Sequence, residues 1–212
     1  MAPHRADSFV QALTDIRERL RDGVFRPGER IAATEVADLL GLSPTPVREA
    51  LSRLSGEGLL EDRRGQGFFV SALTGLDIAD LYRLSLAHLS IGSESARQAL
   101  GGTAVSAIDR VSIVATDPVR VVERVFADWI LEAGGRSLWM SYRSLLIRLG
   151  PVRRIEPLLF DDLAAEAAKI RALCELTPER RFSVLQIFHD RRIAHAERMA
   201  PLLDRYRQDR EV

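Results

Sequence analysis

The stretch GLSPTPVREALSRLSGEGLL, from Gly41 to Leu60, constrains this chain more than any other. Pro46 disfavours helical geometry in the residue before it, so Thr45 is expected as the N-cap and Pro46 as the first helical residue, where a missing N–H costs nothing. From there Val47, Ala50, Leu51 and Leu54 recur at i, i+3, i+4 and i+7 and form one apolar stripe. Thr45, Glu49 and Ser52 fall on the opposite face, and Arg48 and Arg53 flank the stripe on its two sides. Gly56 and Gly58 supply stop positions before Leu59 and Leu60, so the helix is short, roughly a dozen residues.

The flanking segments give this helix its context. Upstream, Thr34 to Gly41 (TEVADLLG) predicts a second short helix with Thr34 as a possible cap and Gly41 as terminator. Two short helices joined by a few turn residues make a helix-turn-helix candidate. Downstream, Leu59 to Val70 (LLEDRRGQGFFV) places apolar residues on both sides of a Gly-containing polar turn, a hairpin pattern that would form a wing. Before them, Phe9, Leu13, Ile16, Leu20 and Val24 space as a helix stripe that ends in the Gly23 and Arg26-Pro27-Gly28 turn. Residues 31–33 are a candidate third strand. A plain helical hairpin with a β-ribbon would share this pattern, since many helix-turn-helices bind nothing.

The strings PGERI, ADLLGLS, TPVREALSRL, EGLL and the wing ending GFFV resemble the winged-helix domain of the GntR family of bacterial transcription regulators over about the first seventy residues. The resemblance implies that Thr45 and Arg48 contact the DNA major groove, Arg48 above all, since its fork can reach guanine O6/N7 or clamp a phosphate. Thr34, Ser43, Ser52 and Arg53 complete the expected face. Arg63, Arg64, Gln66 and Gly67 are expected on the wing, with the tip at the minor groove. Pro44 stands where many relatives place another Arg.

Bulk charge gives this reading little help. Arg supplies 29 of the 30 basic residues, Lys169 being the only lysine, and the net charge is zero. Residues 1–75 carry ten Arg against eleven Asp plus Glu, so DNA affinity must come from a local arrangement of Arg rather than a global field. An apolar fraction of 46% and 28% charged residues describe an ordinary globular chain. Cys174 is alone, so no intrachain disulfide can form, and it is expected as a buried reduced thiol. No apolar run approaches a membrane span or a signal peptide, which together point to the cytoplasm.

After the linker Ser71 to Gly75, where Thr74 and Asp77 resemble a capping box, only helical periods separated by breakers remain. The division is therefore a winged helix-turn-helix domain, 1–73, mostly α with a small β wing, and an all-α bundle of five or six helices, 74–212. Predicted helices run from about Leu76 to Leu100, Thr103 to Ala115, and Pro118 to the Gly134-Gly135 pair, the last with Val122, Val125, Phe126 and Trp129 on one face. Next come a helix through Trp139, Tyr142, Leu145, Leu146 and Leu149 ended by Gly150-Pro151, one from Asp162 to Cys174, and one starting at Thr177-Pro178 that is expected to bend near Pro201.

In length and order this half resembles the family's FadR-type effector domains, in which D-x-x-F-H and later histidines hold a metal that helps bind a carboxylate. Here the string is Glu123-Arg-Val-Phe126-Ala127, and the later histidine positions align near Arg181 and Leu203, so no metal and no cofactor are expected. His189 and His195 lie about 120° apart around a helix and cannot share an ion as an i, i+4 pair does. His88 is expected at the core or at a pocket edge, and Asp190, Arg191 and Arg192 on a solvated face. The candidate effector pocket comprises His88, Phe126, Trp129, Tyr142, Arg181 and His189, with Arg181 available to pair a carboxylate. The expected function is a homodimeric repressor that binds an inverted repeat of double-stranded DNA and senses a carboxylate or acyl metabolite. The alternatives are a ligand-independent dimeric regulator and, with no nucleophile–base set or phosphate-cradling loop visible, an enzyme on the helical domain.

Overall fold

The computed structural model describes residues 5–25, 27–99 and 117–208. Helix α1 (Arg5–Asp22) buries Ala12, Ile16 and Leu20 and ends where Gly23 takes a positive φ of 71°. The Gly23 and Val24 amides return to the Leu20 and Arg19 carbonyls, so Val24 lies past the helix end and is exposed, not part of the stripe as expected. Strand β1 (Arg30–Ile31) precedes α2 (Ala33–Leu40). The N-cap of α2 is Ala32, not Thr34, because the Val36 amide already bonds the Ala32 carbonyl directly after the strand; Gly41 ends the helix at φ 64°, as its lack of Cβ permits.

Helix α3 (Pro44–Gly56) starts earlier than its prolines suggested, with Ser43 as N-cap and neither Thr45 nor Pro46 at the boundary. The first helical turn leaves its N–H groups unpaired in any case, so it accommodates both Pro44 and Pro46, and the preference against helix before a proline yields at Thr45. Val47, Ala50, Leu51 and Leu54 are all fully buried against α1, each large side chain contributing about 1.5–3 kcal/mol. Strands β2 (Leu60–Arg63) and β3 (Gly67–Val70) form the hairpin, and β1 pairs with β3 to give the order β1-β3-β2.

The second half is helical throughout the described residues. Helix α4 (Gly75–Ala99) opens on the expected capping box, with the Thr74 amide and hydroxyl donating to Asp77 at 2.8 and 2.5 Å and the Asp77 amide returning to Thr74. The predicted Thr103–Ala115 helix lies outside the described residues. Helix α5 (Pro118–Ala133) is capped by the Asp117 side chain and buries Val122, Val125, Phe126 and Trp129. Helix α7 (Leu163–Arg171) tightens into a 3-10 turn, Ala172–Glu175, and Cys174 is half-buried rather than buried. Helix α8 (Pro178–Gln208) runs through Pro201 without ending; Glu197, whose carbonyl loses its amide partner there, is exposed.

Helix α6 (Arg136–Arg154) overturns the expected stop at Gly150-Pro151. Gly150 has no Cβ to strike the proline ring, so the helix passes through, and the same bare Cα lets α1 approach until a Cβ there would overlap the Arg21 carbonyl. One turn earlier, Ile147 is buried in the core of the N-terminal domain. The opposite face of α6, with Tyr142, Leu149 and Val152, belongs to the bundle core. A single helix is therefore packed into both cores.

Candidate nucleic-acid interface

The two cores fix which side chains are left outward. With the α3 stripe sealed against α1, Ser43, Thr45, Arg48, Glu49, Ser52 and Arg53 are exposed, and Thr34 is exposed at the start of α2. Arg48 has no ion pair among the described residues, whereas Arg53 is held by Glu57 at 2.9 Å. Glu57 also receives Arg17 at 2.7 and 2.8 Å. Burial raises the affinity of the Glu57 carboxyl for its proton, but hydrogen bonds and charge from Arg17 and then Arg53 outweigh it and hold it below the usual carboxylate range.

On the wing, the Gln66 amide closes a turn onto the Arg63 carbonyl at 2.8 Å, and Gly65 and Gly67 supply positive φ values of 72° and 102°. Arg64 and the Gln66 side chain are exposed at the tip. Arg63 lies 4.2 Å over the Phe69 ring and pairs with Glu61 at 2.8 Å, which fixes it along the strand. Of the four expected arginines, then, Arg48 and Arg64 project without an ion pair among the described residues, while Arg53 and Arg63 are tethered to surface carboxylates. Exposed pairs of this kind are worth about 0.2–1 kcal/mol, so a phosphate can displace the carboxylate.

The expected pocket residues meet only in part. Phe126 stacks on His189 with centroids 5.8 Å apart, and His88 tilts against Tyr142 at 5.7 Å. Trp129 is buried in the same core. Arg181 does not join them in a polar site: its guanidinium donates to the Cys174 carbonyl at 2.9 Å and anchors the 3-10 turn before α8. His189 is fully buried, its Nδ1 set 2.6 Å from the Leu185 carbonyl, so Nδ1 carries the proton and Nε2 accepts from Ser85 at 3.1 Å. Burial, with Arg153 and Arg192 adding to it against the Leu185 hydrogen bond, pushes its pKa down to about 3, and the ring is neutral.

Arg192 corrects the expectation of a solvated face. It is 1% exposed and donates to Glu156 at 3.0 and 2.8 Å, to Glu166 at 3.0 and 2.5 Å, and to the Phe188 carbonyl. Glu156 also accepts from the Tyr82 hydroxyl at 2.7 Å. Arg191 is half-buried and pairs with Asp162 at 2.6 Å, while Asp190 is exposed. Residue-by-residue reading missed Arg153, also 1% exposed, because the helix was expected to stop at Gly150. Continuing the Tyr142, Leu145, Leu149 period by one step places Arg153 on the buried face. No group of His, Cys, Asp and Glu fit for a metal ion occurs among the described residues.

Residues 10–70 match the family described as bacterial regulatory proteins, gntR family. The Nta operon transcriptional regulator of Aminobacter aminovorans is 50% identical over 60 residues, covering 28% of this chain and 29% of that protein. The uncharacterized HTH-type transcriptional regulator YdhC of Bacillus subtilis is 33% identical over 78 residues, 37% of this chain and 35% of that one. These alignments span about a third of each relative. Over nearly the full chain the fold is that of Escherichia coli McbR/YncC, with TM-score 0.66, 19% identity, and coverage of 93% of this chain and 99% of that one. A transcriptional regulator structure from Rhodococcus sp. RHA1 gives TM-score 0.66 at 18% identity, covering 89% and 96%. No described helix is long and apolar enough to cross a membrane.

Proposed function

We propose that this chain, whose residues 10–70 form a domain of the gntR family of bacterial regulatory proteins, is a DNA-binding transcription regulator, not an enzyme, and acts as a repressor. The observation that carries the reading is the outward edge of α3: Thr45, Arg48 and Ser52 exposed together behind a stripe whose four apolar members have no exposed surface. Such a helix enters the major groove with its N-terminal residues at the base edges, and the tip formed by Arg64, Gly65 and Gln66 meets the backbone or minor groove beside it. We place the boundary between the DNA-binding and sensing parts at 73/74, just before the α4 capping box.

One short helix offers too little contact for a specific site, so the reading requires two copies on an inverted repeat. Exposed apolar side chains on the bundle, among them Leu84, Ile91, Leu131 and Met140, support a partner surface there. The bundle would sense a small molecule and, through α6, change the spacing of the two winged helices.

Selection of bound duplexes from a random-sequence pool, followed by fluorescence anisotropy at one fixed salt concentration, tests this. An enriched inverted repeat is expected, and Arg48→Ala should weaken binding to it by roughly 5- to 150-fold, the equivalent of about 1–3 kcal/mol. No enriched sequence, or a variant that binds like the parent, would overturn the assignment.

A further inference from the structure

We propose that Arg30, on β1, is a further DNA contact, binding a phosphate on the wall of the minor groove opposite the one that Arg63 reaches. The inference rests on the reading of the N-terminal domain as a DNA-binding module. In the two-residue strand β1, Ile31 is 4% exposed and turned into the core, so alternation along the strand puts Arg30 on the outward face of the sheet, where it is exposed. Its register partner is Phe69, which pairs in turn with Glu61 on β2. The guanidinium does not stay beside Phe69. A Cβ built on Gly67 would lie 3.3 Å from the Arg30 Nε and 3.7 Å from its Nη2, so the side chain reaches two residues along β3, toward the tip of the wing.

That reach finds no counter-charge in the chain. Among the described residues Arg30 forms no ion pair. Glu61, the carboxylate in its own row of the sheet, is taken by Arg63, which donates to it from Nε at 3.1 Å and from Nη2 at 2.8 Å. Gly67 has no side chain to cover the guanidinium from below. A long cation held out over a glycine, with its donors facing solvent, is placed to receive an anion from outside the protein.

The spacing selects that anion. Strands β1 and β2 flank β3, so Arg30 and Arg63 stand on outer strands about 10 Å apart. A minor groove about 6 Å wide fits between them, with the Arg64–Gln66 turn at its mouth and one guanidinium beside each sugar-phosphate wall. A phosphate at Arg63 must displace Glu61, whereas one at Arg30 displaces nothing. In a chain of zero net charge, DNA affinity depends on local placements of this kind. Phosphate contacts carry no base information, so Arg30 holds the wing in register while Arg48 reads sequence.

The test measures the full chain's affinity for the selected duplex and for an unrelated duplex of equal length, by fluorescence anisotropy between about 50 and 200 mM sodium chloride. Arg30→Gln should weaken both by similar factors, roughly tenfold for two bound copies at the lower salt, and should flatten the plot of log affinity against log salt by about 0.9 per copy. Arg30→Lys, which keeps a point charge, should restore the parent slope. Arg48→Ala, by contrast, should weaken the selected duplex more than the unrelated one. Both Arg30 variants should melt with the parent, because the side chain is exposed. An enriched duplex that Arg30→Gln binds with the parent's salt slope overturns the Arg30 contact alone. A slope that stays as flat in Arg30→Lys as in Arg30→Gln also overturns it, since Arg30 would then only support the shape of the wing. A parent protein that enriches no duplex overturns the regulator reading and this contact with it.

Discussion

Gly150 is where a single methyl group should separate the two domains. A Cβ built on it overlaps the Arg21 carbonyl oxygen and lies 2.7 Å from the Arg21 Cγ and 2.8 Å from its carbonyl carbon. Ordinary contact begins near about 3.5 Å, so relief needs a helix displacement on the order of an ångström, and the obstacle is α1 backbone that cannot rotate away. Overpacking of this kind costs about 1–3 kcal/mol, and an alanine before Pro151 adds the clash that glycine avoids. Against this stands the gain of about 1 kcal/mol from removing a glycine from a helix interior. If α1 and α6 part, Ile147 leaves the N-terminal core and a further 1.5–3 kcal/mol, roughly, is lost. The net expectation for Gly150→Ala, once the domains part, is a loss of about 1.5–5 kcal/mol, or about 2–4 °C per kcal/mol in a chain of this size, with the melt broadening as the domains uncouple. Circular dichroism at 222 nm against temperature and urea measures it. Gly56→Ala is the internal control, since nothing lies within 4 Å of its Cβ position, and it should be neutral or stabilising. A Gly150→Ala protein stabilised like the control would refute the domain contact.

Two further outcomes follow from the geometry. His189 has a native pKa of about 3 against about 6.5 unfolded, so below pH 6.5 the unfolded chain binds a proton that the native ring refuses, and stability falls as pH falls toward 3. The loss between pH 7 and pH 5 is roughly 2 kcal/mol by urea denaturation, and His189→Gln should flatten that limb; an unchanged slope would show that the ring is not the cause. Gly67→Val places a β-branched residue at φ 102°, a strain of about 1–3 kcal/mol, while the Arg30 side chain 3.3 Å away can move aside. It should lower affinity for the selected duplex without altering α3, and equal affinity would mean that the wing does not dock.

What could be read from the chain by itself was whatever neighbouring residues decide. The α3 stripe, the Gly41 terminator, the Thr74–Asp77 box, the wing and the Asp117-Pro118 helix start all depend on contacts within a few positions, and all appear in the structure. The errors at Thr34, Thr45 and Val24 were shifts of a helix end by a residue or two, where capping preference competes with an adjacent strand or proline at a fraction of a kcal/mol. Tertiary structure decided the rest. Whether Arg192 faced water or Glu156, 36 positions away, and how closely α1 could approach α6 at Gly150 were settled by partners distant in sequence. Packing chooses among long arginine side chains because each can reach several carboxylates, and only the fold determines which of those carboxylates is near and which are already taken.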